Sequence, residues 1–425
     1  MDRSPIDFEA LTRNGRIHGS LYRDPAIFER EVEAIWNKVW VYIGHESEIP
    51  KPGDFVRRQI GLQPVIMIRD DGGAVRVLYN RCRHRGNLLC HRDRGSSETL
   101  KCPYHGWTYS RGGALLAPTF EEGYDSNLRK DDFALTPVER QGAYRGLVFA
   151  SIASTGPSLD AHLGAAKEYV DLFMDLSPTG EIELNTGTQK LSYRGNWKFL
   201  PENSLEGDYH GPFIHRIAFE LHGKRTGLDM SSLYENQIPD VIHSLPGGHM
   251  VEDYRGATMA PPKRAPSEAR LAYVALMEKR YGPAKANQLL STIPPLVYIF
   301  PNLLYIMTHI RRVQPVSVDE THVYYQPMLL KGAPDEINTL RLREHEFGFG
   351  PAGLISPDDI EIMERNQRGV AARGNDWQFI GRGMHRDKVL PDGRSSGFTM
   401  DECHLRGMWQ YYGRLMSDPD ATLSP

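Results

Sequence analysis

Two short segments each place one cysteine and one histidine close together. The first is Cys82-Arg83-His84 within Arg81-Cys82-Arg83-His84-Arg85-Gly86. The second is Cys102-Pro103-Tyr104-His105, followed by Gly106-Trp107. Each loop offers one thiolate and one imidazole, and each carries a glycine shortly after its histidine. Any fold for this stretch has to bring the two loops side by side if their four side chains are to serve one centre.

Two chemistries suit such a set. A structural zinc site of the Cys₂His₂ kind is tetrahedral, but its loops usually pair cysteine with cysteine and histidine with histidine. Here each loop is mixed. That pattern matches a Rieske-type [2Fe–2S] cluster, in which two histidines replace two cysteines on one iron and raise the reduction potential. Cys82, His84, Cys102 and His105 are therefore expected to hold an electron-accepting cluster. Of the four cysteines, only Cys90 and Cys403 remain, far apart in the chain. This is no disulfide framework, and it suits a reducing compartment.

A chain of 425 residues is expected to hold two or more domains. With 40% hydrophobic and 24% charged residues and a formal net charge of -4, it gives no electrostatic case for nucleic acid or an anionic membrane. The first residues lack the apolar run of a signal peptide, and no segment is long and apolar enough to span a bilayer. A cytoplasmic enzyme is the expectation.

Apolar spacing predicts a helix over Pro25 to Lys38. β-rich segments follow from Val39. Val65 to Ile68 and Val75 to Leu78 flank the hairpin signal Asp70-Asp71-Gly72-Gly73. Strands continue to about Ile152, and Ser154-Thr155-Gly156-Pro157-Ser158 reads as a boundary. Asp160 to Met174 is then predicted as one amphipathic helix. Leu303 to Pro315 and Thr321 to Leu330 read as antiparallel strands turning at residues 316–320. Asp358 to Ala372 and Met400 to Met416 read as helices. The expected class is α+β. It comprises an N-terminal helical segment (1–39) packing on the larger domain, a small β-sheet cluster domain (40–155), and a larger antiparallel-sheet and helix domain (156–425).

The second chemistry-bearing region runs from Asn196 to His215. His210 and His215 are five apart, which on a continuous helix leaves them roughly 140° apart around the axis. Gly211-Pro212 is expected to end the helix and let the chain swing His215 back. Two histidines and one carboxylate from elsewhere make the facial triad of non-haem Fe(II) enzymes, with open positions for O₂ and substrate. Simple burial of one or both histidines explains the pair equally well when it is taken alone. The iron–sulfur motif in the same chain favours the metal. Asp358-Asp359, behind Gly350-Pro351-Ala352-Gly353 and Ser356-Pro357, offers the carboxylate. A helix start accounts for one acidic residue there, leaving the other for a metal.

These motifs, with Trp40-Val41-Tyr42-Ile43-Gly44-His45, Gly195-Asn196-Trp197-Lys198 and Arg406-Gly407-Met408-Trp409, resemble the large (α) subunit of Rieske non-haem iron aromatic-ring-hydroxylating oxygenases over nearly the whole chain. By that resemblance Cys82 and Cys102 hold one cluster iron, and His84 and His105 the other. His210, His215 and Asp359 hold the mononuclear iron; Asp359 is preferred because members with a single aspartate keep the second. The resemblance implies trimers, α3 or α3β3, in which the cluster of one protomer lies near the iron of the next and an acid bridges a histidine of each. That acid usually stands three residues before the first iron histidine, where this chain has Gly207. Its neighbours Asp208 and Glu206 are acidic; Asp208 is the favoured bridge and Glu206 the alternative. Asn203 matches a polar residue placed close to the iron.

The implied reaction takes electrons from an NADH-dependent reductase, with or without a ferredoxin, since no dinucleotide fingerprint occurs in this chain. It uses O₂ to hydroxylate or cis-dihydroxylate an aromatic ring in aromatic catabolism. Gly247-Gly248-His249-Met250 and the spacer to Pro294 look closer to members acting on benzoate-, anthranilate- or salicylate-like acids. An acid substrate calls for a buried cation. Arg216, Arg311 and Arg312 are candidates, although solvated surface charge is the plainer account of any one. Phe213, Ile214, Phe219 and Met307 suit an apolar pocket or a core. Two other functions fit parts of the pattern: an O- or N-demethylating Rieske monooxygenase, which shares every metal ligand, and a pure electron-transfer protein, which needs only the β domain.

Overall fold

The computed structural model describes residues 6–125, 128–206, 209–226, 237–256 and 265–418. The chain divides into two compact units, residues 36–159, and residues 1–35 together with 160–425. Helices and antiparallel sheets are mixed throughout, as expected of an α+β protein. Among the described residues, no helix is long and apolar enough to cross a membrane.

The smaller unit is built from short antiparallel strands. Strands β1 (Val41–His45), β2 (Asp54–Ile60), β3 (Gln63–Arg69), β4 (Val75–Tyr79) and β5 (Arg94–Ser96) come first. They are followed by β6 (Leu100–Lys101), β7 (Thr108–Tyr109), β8 (Leu115–Ala117), β9 (Arg140–Tyr144) and β10 (Leu147–Ser151). They form three sheets, ordered β4-β3-β2-β5, β6-β7-β8 and β9-β10-β1. The β3–β4 hairpin closes where Asp70 N donates to Ala74 O and its Oδ1 accepts from Ala74 N. Val65 to Ile68 of β3 are buried, and Ile66 and Ile68 meet Phe55, Leu78, Trp107 and Tyr109 in one core that also contains Cys82 and Cys102. Each such apolar side chain contributes about 1.5–3 kcal/mol on burial, so the two cysteines are set in a firmly held core.

In the larger unit a nine-stranded antiparallel sheet carries the helices. Its strands are β11 (Gln189–Tyr193), β12 (Ile242–Leu245), β13 (His249–Glu252), β14 (Leu296–Ile299), β15 (Leu303–Ile306), β16 (His309–Ser317), β17 (Glu320–Pro327), β18 (Lys388–Val389) and β19 (Ser395–Gly397), ordered β11-β17-β16-β15-β14-β13-β12-β19-β18. The expected single strand over Leu303 to Pro315 is two strands. Met307, at φ 48°, turns the chain between them. The expected helix over Asp160 to Met174 is also two, Leu159–Leu163 and Ala166–Asp175, separated at Gly164 and Ala165.

Helical segments of the larger unit include α1 (Pro25–Glu31), α2 (Ala166–Asp175), α3 (Phe199–Ser204), α4 (Gly211–Ile214), α5 (Arg216–Thr226), α6 (Asp335–Phe349), α7 (Ser356–Gly369) and α8 (Cys403–Ser417). A π-helical turn, Val32–Trp36, continues α1. α1 is fastened to the rest of its unit by a buried network. Glu31 accepts from Lys198 Nζ at 2.5 Å, Trp197 Nε1 at 2.8 Å and Tyr412 OH at 2.6 Å. Both carboxylate oxygens of this buried side chain are thereby satisfied. One turn on from Lys198, Glu202 accepts from Tyr22 OH and from Trp409 Nε1, both at 2.7 Å. Burial pushes the Glu202 carboxyl up to about 7 against these hydrogen bonds. The helix that leads to Asn203 and Glu206, α3, is thereby fixed in place.

Candidate metal centres

The two cluster loops share one backbone pattern. Cys82 N donates to Asn87 O at 2.8 Å and Gly86 N to Cys82 O at 3.0 Å. Cys102 N donates to Trp107 O at 2.8 Å and Gly106 N to Cys102 O at 3.0 Å. The repeat is counted from the cysteine: a glycine four residues on, its bond partner five on. Gly86 and Gly106 adopt φ of 76° and 70°, and a Cβ at Gly106 would lie 2.7 Å from Thr119 Oγ1. The different spacings, Cys-x-His and Cys-x-x-His, therefore place the two histidines at different points of the same turn.

The two cysteines are neighbours, and so are the two histidines. Cys82 and Cys102 are buried free thiols, and the rings of His84 and His105 lie 4.7 Å apart between centroids. His84 stacks on Trp107 at 4.8 Å and His105 on Tyr104 at 3.7 Å. Burial, with His105 and Arg85 nearby, lowers the His84 pKa, so its ring is neutral as a ligand must be. Its Nδ1 is buried with no hydrogen-bond partner among the described residues. Burial raises the Cys82 thiol, and the neighbouring Cys102 adds to this while Tyr109 opposes it. Two thiols on the core side and two imidazoles toward the surface, with an orphaned ring nitrogen, fit a [2Fe–2S] cluster in which each iron takes one pair.

Tyr109 was not singled out from the sequence, yet it completes this centre. Its hydroxyl lies 3.3 Å from Cys82 Sγ and accepts from Arg83 N at 3.0 Å. With the backbone donor occupying the oxygen, the Tyr109 proton is free to point at the sulfur.

The second centre lies in the larger unit. His210, His215 and Asp359 bring their ligand atoms within 4.8 Å of one another. The individual separations are 3.1 Å between the two Nε2 atoms, 2.9 Å from His215 Nε2 to Asp359 Oδ1 and 3.5 Å from His210 Nε2 to the same oxygen. Ligands about 2.1 Å from one ion at right angles would be about 3.0 Å apart, so the set has the dimensions of an octahedral face. The donor chemistry and the spacing both fit a mononuclear Fe(II).

The route by which the histidines converge differs from the one expected. Gly211-Pro212 does not end a helix; it opens α4, with Pro212 in the first turn, where its missing N–H costs nothing. Ile214 N and His215 N donate to His210 O and Gly211 O, so the turn is unbroken from His210. The two histidines stand at its two ends, and His215 (φ -99°, ψ 13°) departs from helical values. Convergence comes from the reach of two imidazoles across a single short turn.

Asp359 lies in the first turn of α7 and is buried, whereas the Asp358 side chain is 52% exposed and 3.8 Å from His215 Nδ1. Burial works against the Asp359 charge, but hydrogen bonds to His210 and His215 outweigh it and hold the carboxyl far below its ordinary range. His210 is pushed up to about 10: burial opposes its charge, and Asp359 and Glu206 overcome that. In the metal-free protein these charges favour a proton on His210 where an ion would sit.

Glu206 Oε1 lies 2.6 Å from His210 Nδ1 and accepts from His210 N at 2.9 Å. It fixes the orientation of the His210 ring with Nδ1 as the donor, the arrangement an outer carboxylate gives a metal-binding histidine. Its four-residue offset from His210 was the available signal. The favoured bridge, Asp208, lies outside the described residues, as does Gly207. Asn203 is buried on α3, and its Oδ1 has no partner among the described residues. Of the expected pocket residues, Phe213 is 72% exposed and lines no core. His249 accepts from Phe300 N and donates to His162 O, a structural role.

The fold and these two centres define an oxygenase built on a Rieske domain. Residues 39–123 match the Rieske [2Fe-2S] domain family. Residues 173–418 match the ring hydroxylating alpha subunit (catalytic domain). The chain belongs to the ring-hydroxylating oxygenases, as an alpha subunit. It is 32% identical over 400 residues to the anthranilate 1,2-dioxygenase large subunit of Acinetobacter baylyi, covering 90% of this chain and 83% of that protein. It is 31% identical over 423 residues to biphenyl 2,3-dioxygenase subunit alpha of Rhodococcus jostii, covering 96% and 90%. The crystal structure of naphthalene 1,2-dioxygenase from Rhodococcus sp. bound to indole superposes with a TM-score of 0.81 at 26% identity, over 97% of this chain and 96% of that one.

Proposed function

We propose that this alpha subunit is a terminal oxygenase that takes electrons from an NADH-dependent reductase, directly or through a ferredoxin, and hydroxylates or cis-dihydroxylates an aromatic carboxylic acid. One observation carries the reading: the right-angled spacing of His210, His215 and Asp359 in a chain that also pairs Cys82 with Cys102 and His84 with His105. Bound Fe(II) would supply open positions for O₂, and the reductase, through the cluster, would supply the electrons that reduce it. The chain's own residues do the rest. His210, His215 and Asp359 would hold the metal on one face. Glu206 keeps His210 Nδ1 protonated and its Nε2 aimed inward. Asn203 presents an amide oxygen without a partner, among the described residues, near the same helix end.

The thiols of the cluster loops are buried while His84 and His105 are partly exposed, so electrons would leave through the imidazole edge. Around that edge Tyr104 and Phe120 are exposed at 57% and 77%. Beside the iron histidines Tyr209 and Phe213 are exposed as well. Such apolar surface fits burial against another protomer. It supports an α3 or α3β3 assembly in which the cluster of one protomer serves the iron of the next, through Asp208 or Glu206. Acid specificity draws on the anthranilate-type relative, although the biphenyl-type relative is almost as similar.

The test is NADH-dependent O₂ uptake by the loaded protein with a surrogate reductase, across aromatic acids and neutral arenes. Uptake matched by hydroxylated product is expected. Formaldehyde release from methoxy or N-methyl substrates, with no ring product, would replace hydroxylation by demethylation. No substrate-dependent uptake would leave an electron carrier.

A further inference from the structure

Arg311 on β16 and Arg341 on α6 are two cationic side chains for which the described residues supply no salt-bridge partner. Arg311 is 2% exposed. Its Nη1 donates to Ser204 Oγ at 3.0 Å and its Nε to His309 Nε2 at 3.1 Å. The guanidinium faces the rings of Tyr325 at 4.9 Å and Phe349 at 5.2 Å. Among the described residues no carboxylate pairs with it. Arg341, on α6, donates from Nε to Met328 O at 3.1 Å, and its Nη2 is buried with no partner among the described residues. Burial pushes Arg341 down to about 10.

His309 adds a donor and no negative charge, while His345 commits its proton to Gln189 Oε1 at 2.9 Å. Because His309 Nε2 accepts from Arg311, its proton sits on Nδ1, which is buried and without a partner among the described residues. Burial drives His309 well below its ordinary pKa, and Arg311, His345 and Arg341 drive it further. The His345 ring is 4.7 Å from that of His309. Burying a guanidinium without an anion is costly, and aromatic faces offset only part of that cost. A planar anion that accepts two parallel N–H donors is the natural complement.

The place of this group ties it to the iron site. Ser204 ends α3, next to Asn203 and just before Glu206, which holds His210. Phe349 ends α6, and the loop after it leads into α7 and Asp359. Tyr325 lies close enough to Asp359 to feel its charge. The other two arginines weighed from the sequence are placed differently. Arg216 is exposed and paired with Glu220 at 3.0 Å. Arg312 points to the opposite face of β16, over Tyr324 at 4.0 Å.

Resting on the oxygenase reading, we propose that Arg311 is the specificity-determining residue that receives the substrate's carboxylate, with His309 and Arg341 behind it and Phe349 and Tyr325 flanking the ring. The experiment compares wild type, Arg311→Met and Arg311→Lys as cluster- and iron-loaded protein. It measures benzoate and benzamide binding by calorimetry, and coupled O₂ uptake with each. Losing charge-assisted hydrogen bonds should raise the benzoate Kd and KM roughly 10- to 100-fold in Arg311→Met, with benzamide changed by no more than about twofold. Arg311→Lys should recover part of the benzoate loss. If Arg311→Met does not fold, Arg311→Lys decides, since it keeps charge and loses the fork. Equal losses for benzoate and benzamide, or unchanged benzoate binding, would overturn the proposal. Wild type acting on neutral arenes alone would overturn it and leave the oxygenase reading intact. Wild type showing benzoate binding lost in Arg311→Met, but no uptake with any aromatic compound, would sink the oxygenase reading and keep the anion site.

Discussion

The cluster loops carry their candidate ligands within a few residues of a fixed backbone turn, whereas the candidate iron triad joins His215 to a carboxylate 144 residues away. In the loops, the same pair of backbone hydrogen bonds occurs twice, and the side chains project from a scaffold the backbone has already set. In the triad, a single turn places two histidines, and only the docking of α7 supplies the third ligand. One centre is a local structure repeated; the other exists only when the sheet and helices of the larger unit are assembled. Damage to one should therefore spare the other.

The largest effect expected is from His210→Ala. It should abolish turnover and mononuclear iron binding while the visible absorbance of the cluster survives, as read by iron and sulfide content with optical spectra. Loss of the cluster as well would break the comparison. Cys102→Ser is the reciprocal case. It should remove the cluster absorbance and all reductase-driven uptake, and leave a protein that still binds one Fe(II) or Co(II) per chain.

This contrast also explains what could be read without a structure. Both cluster loops were legible because cysteine, histidine and glycine lie within one turn, and their residue types admit few chemistries. His210 and His215 were legible as a pair, but not the way they meet. The expected helix break at Gly211-Pro212 treated Pro212 as a terminator, when proline at a first helical position starts a turn. Asp359 was separated from Asp358 only through family resemblance; both lie in the first turn of α7, and in the fold the difference is burial, Asp359 being enclosed against the histidines and Asp358 half exposed. Tyr109 and His309 were invisible because their roles depend on partners across the fold. Leu303 to Pro315 and Asp160 to Met174 were each read as one element because apolar periodicity passes unbroken through Met307 and Gly164.

Glu206 lies between the two kinds of site, since it is local to His210 and acts only through it. Removing its charge in Glu206→Gln should weaken Fe(II) binding or turnover about 10- to 100-fold. Asp208→Asn, if Asp208 is the bridge, should slow cluster-to-iron electron transfer in single-turnover experiments with both metals retained. The reverse assignment of these two effects would move the bridge to Glu206.

A smaller, graded effect comes from pH. Against its burial in the metal-free protein, Asp359 and Glu206 push His210 up to about 10, which favours, near neutrality, a proton that a metal must displace. Asp359 is already ionised there and releases none. Metal affinity should therefore rise with pH, by about tenfold per unit over about pH 6 to 8, as one proton leaves per ion bound. Anaerobic Co(II) titrations measure this slope. A flat response would mean that the triad is not closed by a proton in the absence of metal.

The smallest effect tests whether the cluster is tuned by its surroundings as well as held by them. Arg83 N donates to the Tyr109 oxygen at 3.0 Å, which leaves the phenolic proton for Cys82 Sγ at 3.3 Å. A hydrogen bond to a ligating sulfur stabilises the reduced, more negative cluster and raises its potential. One bond of about 1 kcal/mol corresponds to about 40 mV for a single electron, so Tyr109→Phe should lower the cluster potential by about that much while the iron centre loads normally. Redox titration followed by the cluster's optical spectrum reads the shift. An unchanged potential would mean that the Tyr109 hydroxyl serves the Arg83 backbone alone, and that the loop is held by this residue without being tuned by it.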